Sequence, residues 1–258
     1  MNHEGLHNYD EILQEADGVM ICRADLGMEI PPEKVFIAQK WMVEKANLAA
    51  KPVIMANQML ESMVKAPRPT RAEASEIATC ILDGVDAICL NNETAHGDYP
   101  INAVNILSKC CAEAEKTIDY KKVFADLKLY SPAPYGTAEA VASSAVASVI
   151  DLKLDLVVVI TENGRMGRLI SKYKPEVPIL VCSEHDFVVR QMLLQRGVHG
   201  LKIASNTAEN VLKTVLSEAK KMKIVKGGAK VVCIQAWNED STDDTQEATV
   251  MKILDVEP

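Results

Sequence analysis

A group of charged residues directly after an apolar run is the first part of this sequence that could do chemistry. The run GVMIC, residues 18–22, predicts a buried strand, and Arg23, Ala24 and Asp25 follow it. An arginine at such a strand end could bind a phosphate or a carboxylate through paired hydrogen bonds. An aspartate there could ligate a hard cation, because Mg²⁺ prefers carboxylate oxygens and takes only one or two from a protein. The spacing alone also allows Arg23, Asp25 and Glu29 to be a surface ion pair and loop charges.

Two further apolar runs end in the same way. PVIMA, residues 52–56, is followed by NQMLESM, and DAICL, residues 86–90, is followed by NNETAHGDYP. In a barrel of alternating strands and helices, functional residues lie at the carboxyl ends of the strands. The three polar segments all obey that rule, so the sequence predicts one functional edge. We interpret the methionines of QMLESM as residues of the hydrophobic core before any functional role.

The segments between these runs have helical patterns. Pro31 and Pro32 precede a long helical pattern, and residues 100–118 form another with a proline near its start. Residues 70–82 predict a helix with Thr70 as N-cap and Glu73 at the capping-box position. The resulting order βαβαβα, with strands that are apolar throughout, indicates a parallel sheet covered by helices.

A second α/β unit is predicted after a linker that contains two prolines. The linker is LYSPAPYGT, residues 129–137, so the predicted domains are residues 1–128 and 129–258. Strands and helices alternate again beyond the linker, which predicts an open twisted sheet. The first unit shows three strands, whereas a closed (β/α)₈ barrel needs eight. By pattern alone it is either a small open sheet or part of a larger barrel.

Composition limits the classes of protein and partner. The 258 residues carry a net charge of −8, which disfavours nucleic acid and anionic membrane surfaces as partners. Apolar runs stay short of the ~18 residues of a membrane-spanning helix, and the polar, acidic start lacks a signal-peptide pattern. Seven scattered cysteines without metal-type pairing are typical of reduced thiols. We therefore predict a cytoplasmic protein that binds no membrane and no nucleic acid.

Three blocks of the sequence carry a resemblance to a known family. They are NHEGLHNYDEILQEADGVMICRADLGMEIPPEKVFIAQK, KPVIMANQMLESMVKAPRPTRAEASEIA and DGVDAICLNNETAHGDYP. Through these blocks, the linker and the second unit, the sequence resembles pyruvate kinase over essentially its whole length. The resemblance implies an α/β fold with part of a TIM (β/α)₈ barrel, its last three βα units, followed by a C-terminal open α/β sheet domain.

The resemblance also implies an activity and a set of site residues. The family transfers a phosphoryl group from phosphoenolpyruvate to ADP in glycolysis, with Mg²⁺ or Mn²⁺ and usually K⁺, and forms tetramers. By resemblance, Asp25 ligates the divalent metal, and the backbone amides of Arg23, Ala24 and Asp25 receive the substrate carboxylate. Asn57 lies where the family has a threonine near the enolate carbon. The resemblance therefore assigns Asn57 to the substrate site and to the catalytic position of proton delivery.

Three places in the matching blocks depart from the family's pattern. Ala24 replaces a glycine, where a Cβ could crowd the approach of the backbone to substrate. Asn57 replaces the threonine, and an amide can form hydrogen bonds but cannot serve a hydroxyl proton relay. Asn91 and Asn92 replace a serine and a glycine. We expect these changes to weaken or alter the activity.

Other catalytic groups of the family lie upstream of the matching blocks. The second metal carboxylate belongs to a Lys-x-Glu-Asn-His-Glu-Gly block, and Met1 stands at the position of that glutamate. The lysine of that block stabilises the transferring phosphoryl group. We therefore expect these 258 residues alone to be an inactive fragment that lacks the lysine, one metal glutamate, the lid domain and most of the barrel. The alternative is a naturally half-length, non-catalytic relative that acts as an assembly or regulatory subunit.

By the same resemblance, the second unit would hold an effector phosphate in a loop at a helix N-terminus. The matching loop is TENGRMG, in which Thr161, Asn163, Gly164 and Arg165 suit a phosphate but Glu162 adds negative charge. The other wall of the family's pocket matches NEDSTDDTQE, residues 238–247, which is acidic and contains no lysine or arginine. We predict a degenerate effector loop and no activation by fructose bisphosphate.

Overall fold

The chain divides into two units, and each is described by itself. The structure is a computed structural model that describes residues 2–204, 211–237 and 248–256. The first unit is Met1–Asp119 and the second is Tyr120–Pro258. Helices and strands alternate in both units, so the predicted α/β class is confirmed.

The first unit contains a short parallel sheet with helices packed against it. None of the helices in the described part of either unit is long and apolar enough to cross a bilayer. In chain order, the elements of the first unit are α1 (His3–His7), α2 (Tyr9–Glu15), β1 (Val19–Cys22), α3 (Arg23–Glu29), α4 (Pro32–Leu48), β2 (Val53–Ala56), α5 (Arg71–Asp83), β3 (Ala87–Cys89), α6 (Asn92–Ala95) and α7 (Pro100–Glu115).

The sheet has the order β1-β2-β3, and both of its ladders are parallel. Its apolar strands are buried by helices, as when Met42 of α4 packs in one cluster with Ile21 and Met55. Met59 and Met63 of QMLESM are fully buried, so the core-packing interpretation is confirmed. Because the strands are parallel, their carboxyl ends lie at the same edge of the sheet.

Helix α5 begins at the predicted capping box, which the structure confirms. The Thr70 hydroxyl accepts a hydrogen bond from the Glu73 amide at 3.3 Å, and the Glu73 carboxylate accepts one from the Thr70 amide at 2.7 Å. The helix ends at Gly84, whose φ of 97° lies in the left-handed region that favours glycine. The N-cap thus fixes where α5 begins after β2, and the C-cap fixes where it ends before β3.

The second unit contains a larger sheet. Its last helix is described from Val211 onward, and the earlier residues of the helix that the sequence predicts there lie outside the described ranges. In chain order, the elements are α8 (Tyr120–Tyr130), α9 (Thr137–Leu152), β4 (Leu156–Ile160), α10 (Arg165–Lys172), β5 (Ile179–Ser183), α11 (Asp186–Met192), β6 (Val198–Lys202), α12 (Val211–Lys221), β7 (Lys230–Trp237) and β8 (Ala248–Asp255).

This sheet is open and is covered on both faces. Its order is β6-β5-β4-β7-β8, in which β8 pairs antiparallel with β7 and the other described ladders are parallel. Val157 and Val159 of β4 belong to one core cluster, whereas Val158 belongs to another together with Val215 of α12. The predicted open α/β sheet domain is therefore confirmed.

Helix α8 was not predicted from the sequence, and it belongs to the second unit. Phe124 and Leu127 on this helix pack against the core of that unit. The compact units divide ahead of α8, whereas the sequence analysis placed the domain boundary near the helix end, after residue 128. That boundary stays a prediction. Residues 131–136 of the predicted linker form neither helix nor strand.

Candidate active site

The three polar segments meet at one edge of the first sheet. Cys22 lies beside Ala56, and Ala56 lies beside Cys89, and each is the last residue of its strand. Helix α3 follows β1 immediately, a turn follows β2, and α6 begins shortly after β3. The edge therefore carries two helix N-termini and one turn, each close in sequence to a strand end.

Arg23 is buried, and its side chain forms an ion pair and hydrogen bonds within the protein. The side chain is 8% exposed and forms an ion pair with Glu76 of α5. Its Nη2 donates to the Gln58 carbonyl at 2.5 Å, and Nε and Nη2 both reach the Asn57 carbonyl at 3.4 Å. The guanidinium thus ties the end of β1 to the turn after β2 and is occupied by contacts within the protein.

The turn after β2 has an unusual backbone. Asn57 and Gln58 have φ values of 69° and 54°, in the left-handed region that side chains other than glycine rarely adopt. Residues in such conformations persist only when their surroundings hold them there. The hydrogen bonds from Arg23 to both carbonyls supply such a hold, so the position of Asn57 is fixed by the residue that ends β1.

The side chains of Asn57 and Asn91 are joined across neighbouring strand ends. Asn91 Nδ2 donates to Asn57 Oδ1 at 2.6 Å. Asn91 Oδ1 lies 3.4 Å from the thiol of Cys89, which donates to it. Both asparagines depart from the family's pattern in the sequence, but the contact between them could not be predicted from it.

Glu93 is a buried carboxylate that joins two of the loops. It is 2% exposed. Its Oε1 accepts from the Leu60 amide at 2.9 Å, and its Oε2 accepts from the Asn91 amide at 3.0 Å. A Cβ on Gly97 would lie 2.5 Å from the Glu93 carbonyl, so only glycine fits there. Sequence reasoning gave Glu93 no role, although an acidic residue within an otherwise specific block was a usable signal.

Asp25 lies in the first turn of α3 with its carboxylate exposed. Within the described residues it receives no hydrogen bond and forms no ion pair, and no group of three or more His, Cys, Asp or Glu side chains could hold a metal there. An exposed single carboxylate of this kind fits Mg²⁺ or Mn²⁺, which take few protein ligands. Ala24 precedes it, half-buried, in the same turn.

Glu73 organises the loop between the turn and α5. Its carboxylate accepts from the Ser62 amide at 2.7 Å in addition to the capping-box contact with Thr70. Burial by itself raises the pKa of the Glu73 carboxyl, but the hydrogen bonds from Ser62 and Thr70 outweigh that effect and hold the pKa below its usual value. The charged form is therefore the one that this loop stabilises.

The predicted effector loop lies between β4 and α10. Gly164, with φ of 84°, is the N-cap of α10, and a Cβ there would lie 2.9 Å from the sulfur of Met192. The Gly164 amide donates to Thr161 Oγ1 at 2.9 Å, and the Arg165 amide donates to Asn163 Oδ1 at 2.9 Å. The loop's own side chains thus accept from amides that a phosphate would use. The acidic stretch 238–247 lies outside the described residues.

The fold and this edge define an α/β protein of barrel type, with its polar residues gathered at the carboxyl ends of parallel strands. Two family models match the chain. One is described as pyruvate kinase, barrel domain, and matches residues 1–104. The other is described as pyruvate kinase, alpha/beta domain, and matches residues 139–253. The chain belongs to the pyruvate kinase family.

Relatives agree with this assignment. A pyruvate kinase from Eimeria tenella is 46% identical over 257 residues, which is 99% of this chain and 48% of that protein. A crystal structure of a pyruvate kinase from Cryptosporidium parvum matches with a TM-score of 0.91 at 42% identity, over 98% of this chain and 49% of the other. A structure of the Cryptosporidium parvum enzyme in complex with ADP gives 0.89 at 42%, over 98% and 50%. The chain therefore spans about half the length of these relatives.

Proposed function

We propose that this chain is part of a pyruvate kinase, a glycolytic phosphotransferase that converts phosphoenolpyruvate and ADP into pyruvate and ATP. The observation that carries the proposal is the exposed Asp25 carboxylate beside the turn held by Arg23, in a chain 46% identical to a pyruvate kinase. The ADP complex of the Cryptosporidium parvum relative supports ADP as the acceptor.

Each residue of the edge has a part in this proposal. Asp25 contributes one carboxylate to Mg²⁺ or Mn²⁺, and a bound divalent cation would offset the charge on the transferring phosphoryl group. The backbone amides of Ala24 and Asp25 bind the substrate carboxylate, since the first amides of a helix have no intrahelical acceptor and Cys22 makes no side-chain cap. The Arg23 amide, which the resemblance also assigned to the substrate, faces the Ala56 carbonyl in the register of β1 and β2. Asn57 faces the same substrate. The need for K⁺ is inferred from family membership alone.

We propose further that a polypeptide of these 258 residues, tested alone, does not catalyse the formation of pyruvate from phosphoenolpyruvate and ADP. Asp25 is a single carboxylate, and the groups that complete the family's site have no counterpart in the sequence. A preorganised cation accounts for orders of magnitude in rate when charge develops in the transition state. One exposed carboxylate holds Mg²⁺ too weakly to supply that effect.

The test is to compare two proteins for pyruvate formation from phosphoenolpyruvate and ADP. One is the 258-residue polypeptide, and the other is a fusion in which the N-terminal half of the Eimeria tenella enzyme precedes this chain. We expect no turnover from the first and Mg²⁺-dependent turnover from the second, with the intact Eimeria tenella enzyme as positive control. A folded fusion that forms no pyruvate would contradict the proposal and favour the alternative, a non-catalytic assembly or regulatory subunit.

We also propose that fructose bisphosphate does not activate this protein. Support comes from the loop after β4, where Thr161 and Asn163 accept from the amides of Gly164 and Arg165. The measurement is the KM of the fusion for phosphoenolpyruvate, with and without fructose 1,6-bisphosphate. We expect the same KM in both, whereas a decrease of more than about twofold would overturn the proposal.

The setting we propose is a cytoplasmic homo-oligomer, by analogy with the family's tetramer. All seven cysteines lie in the described ranges and are reduced thiols. Burial raises the pKa of the Cys233 thiol to about 12 and that of Cys80 to about 11, so these two are unreactive. Such thiols suit a reducing compartment.

A further inference from the structure

Asn91 is exposed, yet its side chain is held at both ends. Its nitrogen donates to Asn57 Oδ1 at 2.6 Å, and its oxygen accepts from the Cys89 thiol at 3.4 Å. Cys89, Asn91 and Asn57 therefore form a chain of three side chains that runs from the end of β3 to the end of β2. Asn92, one residue further, takes no part in this chain and donates to Glu61 at 3.1 Å instead.

The direction of this chain decides which end of the Asn57 amide faces outward. The Cys89 thiol has two acceptors within reach, Asn91 Oδ1 at 3.4 Å and the Leu90 carbonyl at 3.6 Å. With the thiol donating to the nearer one, the Asn91 oxygen faces Cys89 and the Asn91 nitrogen faces Asn57. Asn57 must then accept through its oxygen. Its own nitrogen, with two hydrogens, keeps its donors available, because no described residue accepts from it.

The backbone of Asn57 cannot easily turn to undo this arrangement. Its φ of 69° is held by the hydrogen bonds from Arg23 to its carbonyl and to that of Gln58. The side chain is half-buried, which further limits its rotamers. Both the position and the polarity of the Asn57 side chain are thus set by neighbours.

We propose that Asn91 is a positioning residue that presents the Asn57 amide nitrogen as a fixed hydrogen-bond donor to an anionic oxygen of the substrate. This inference rests on the proposed function and deepens it, because it gives Asn57 a binding role toward phosphoenolpyruvate. An amide nitrogen donates a hydrogen bond without giving up its proton, so Asn57 is not a general acid. Asn57 and Asn91 act as a pair that binds substrate. Neither of them relays a proton, as the family's threonine hydroxyl would.

The first test uses the fusion with the Eimeria tenella half and the variants Asn91→Ala, Asn57→Ala and the double variant. A donor that binds substrate and transition state equally affects KM and leaves kcat unchanged. We expect Asn91→Ala to raise the KM for phosphoenolpyruvate roughly fivefold to tenfold, the effect of losing one ordinary hydrogen bond, with kcat and the KM for ADP within about twofold. The double variant should match Asn57→Ala, since Asn91 acts through Asn57.

The variant Asn91→Asp reverses the polarity of the contact with little change of shape. A carboxylate at position 91 accepts a hydrogen bond, so it pairs with the Asn57 nitrogen and turns the donor away from the substrate. We expect a larger increase in KM than for Asn91→Ala. The matched control is Asn92→Ala, in the same exposed loop, which should leave the KM unchanged. Equal increases for Asn91→Ala and Asn92→Ala, or additive effects of Asn91→Ala and Asn57→Ala, would overturn the proposal.

A second measurement, by NMR, does not require enzymatic activity. In the ¹⁵N spectrum of the 258-residue polypeptide, Asn57→Ala should shift the side-chain amide signal of Asn91 and leave that of Asn92 in place. If the fusion gives no pyruvate, the proposed function fails, and this spectrum alone decides the geometry of the pair. An unshifted Asn91 signal would contradict the positioning role, whatever the activity of the fusion.

Discussion

At the scale of single residues, Arg23 holds together the segments that form the candidate site. Its guanidinium is buried, donates to the carbonyls of Asn57 and Gln58 and pairs with Glu76. Hydrogen bonds that involve a charged group are stronger than those between neutral groups. Losing this donor would leave carbonyls of a strained turn without a partner, which is costly in a part-buried place.

We predict that Arg23→Met lowers the free energy of unfolding by roughly 1.5–3 kcal/mol, the range for hydrogen bonds to a charged group. The measurement is urea denaturation of the 258-residue polypeptide. Methionine keeps much of the buried volume, so the loss reports the missing donors more than a cavity.

The matched control for Arg23 is its ion-pair partner. The Glu76 side chain is 50% exposed, whereas that of Arg23 is 8% exposed. Glutamine keeps an oxygen that can accept from Arg23, so Glu76→Gln should cost about 1 kcal/mol, less than Arg23→Met. If Glu76→Gln were as damaging as Arg23→Met, the ion pair and not the turn would be the important contact. That result would contradict the role assigned here to Arg23.

Arg23 and Asp25 could be located from the sequence because they follow an apolar strand, and Asn57 was located by the resemblance to pyruvate kinase. Their partners could not be found in either way. Arg23 and Glu76 are 53 residues apart, and Asn57 and Asn91 are 34 apart. Periodicity indicates the element and the side on which a residue lies, but contacts between elements depend on register and backbone angles, such as the positive φ of Asn57, that no local pattern specifies.

At the scale of elements, the start of α5 is the best-determined feature of the first unit. One carboxylate, that of Glu73, accepts from amides of two segments, the loop at Ser62 and the N-cap Thr70. The capping box was readable from the sequence because its residues are three apart. The bond to Ser62 was not, because it depends on how the loop after β2 folds back.

This carboxylate gives a pH-dependent prediction. The pKa of Glu73 is lower in the folded protein than its usual value, so its stabilising effect is full above the usual pKa of a glutamate and is lost as the pH falls through the lower folded-state value. We predict that Glu73→Gln lowers stability by about 1 kcal/mol at neutral pH, because glutamine can still complete the capping box but its neutral oxygen accepts weaker hydrogen bonds than a carboxylate. Urea denaturation at several pH values should show wild type and variant converging in acid. A difference that stays constant would contradict the assignment.

The elements that sequence reasoning missed are explained by their length or their place. Helices α1, α2, α3 and α6 have 5, 7, 7 and 4 residues, too few for a helical period to be visible. Helix α8 has 11 residues, but its last two residues lie within the predicted linker, so no helix was predicted there. The strands were predicted well because buried parallel strands are apolar along their whole length.

At the scale of the whole molecule, the two units have separate cores and match separate family models. The candidate site belongs to the first unit, and its relatives are about twice as long as this chain. In the proposed pyruvate kinase, Asp25 acts together with groups that the matching half does not include. We therefore propose that Asp25 is one of the metal carboxylates of that site.

The most direct test of this claim is the Mg²⁺-dependent rate of pyruvate formation by the fusion protein carrying Asp25→Asn. The matched control is Glu29→Gln, because Glu29 is also an exposed carboxylate on α3. We predict that Asp25→Asn lowers kcat/KM by at least about a hundredfold, as expected when a cation that stabilises the transition state is lost, while Glu29→Gln leaves it unchanged. Equal activity of the Asp25→Asn variant and the parent fusion would contradict the account.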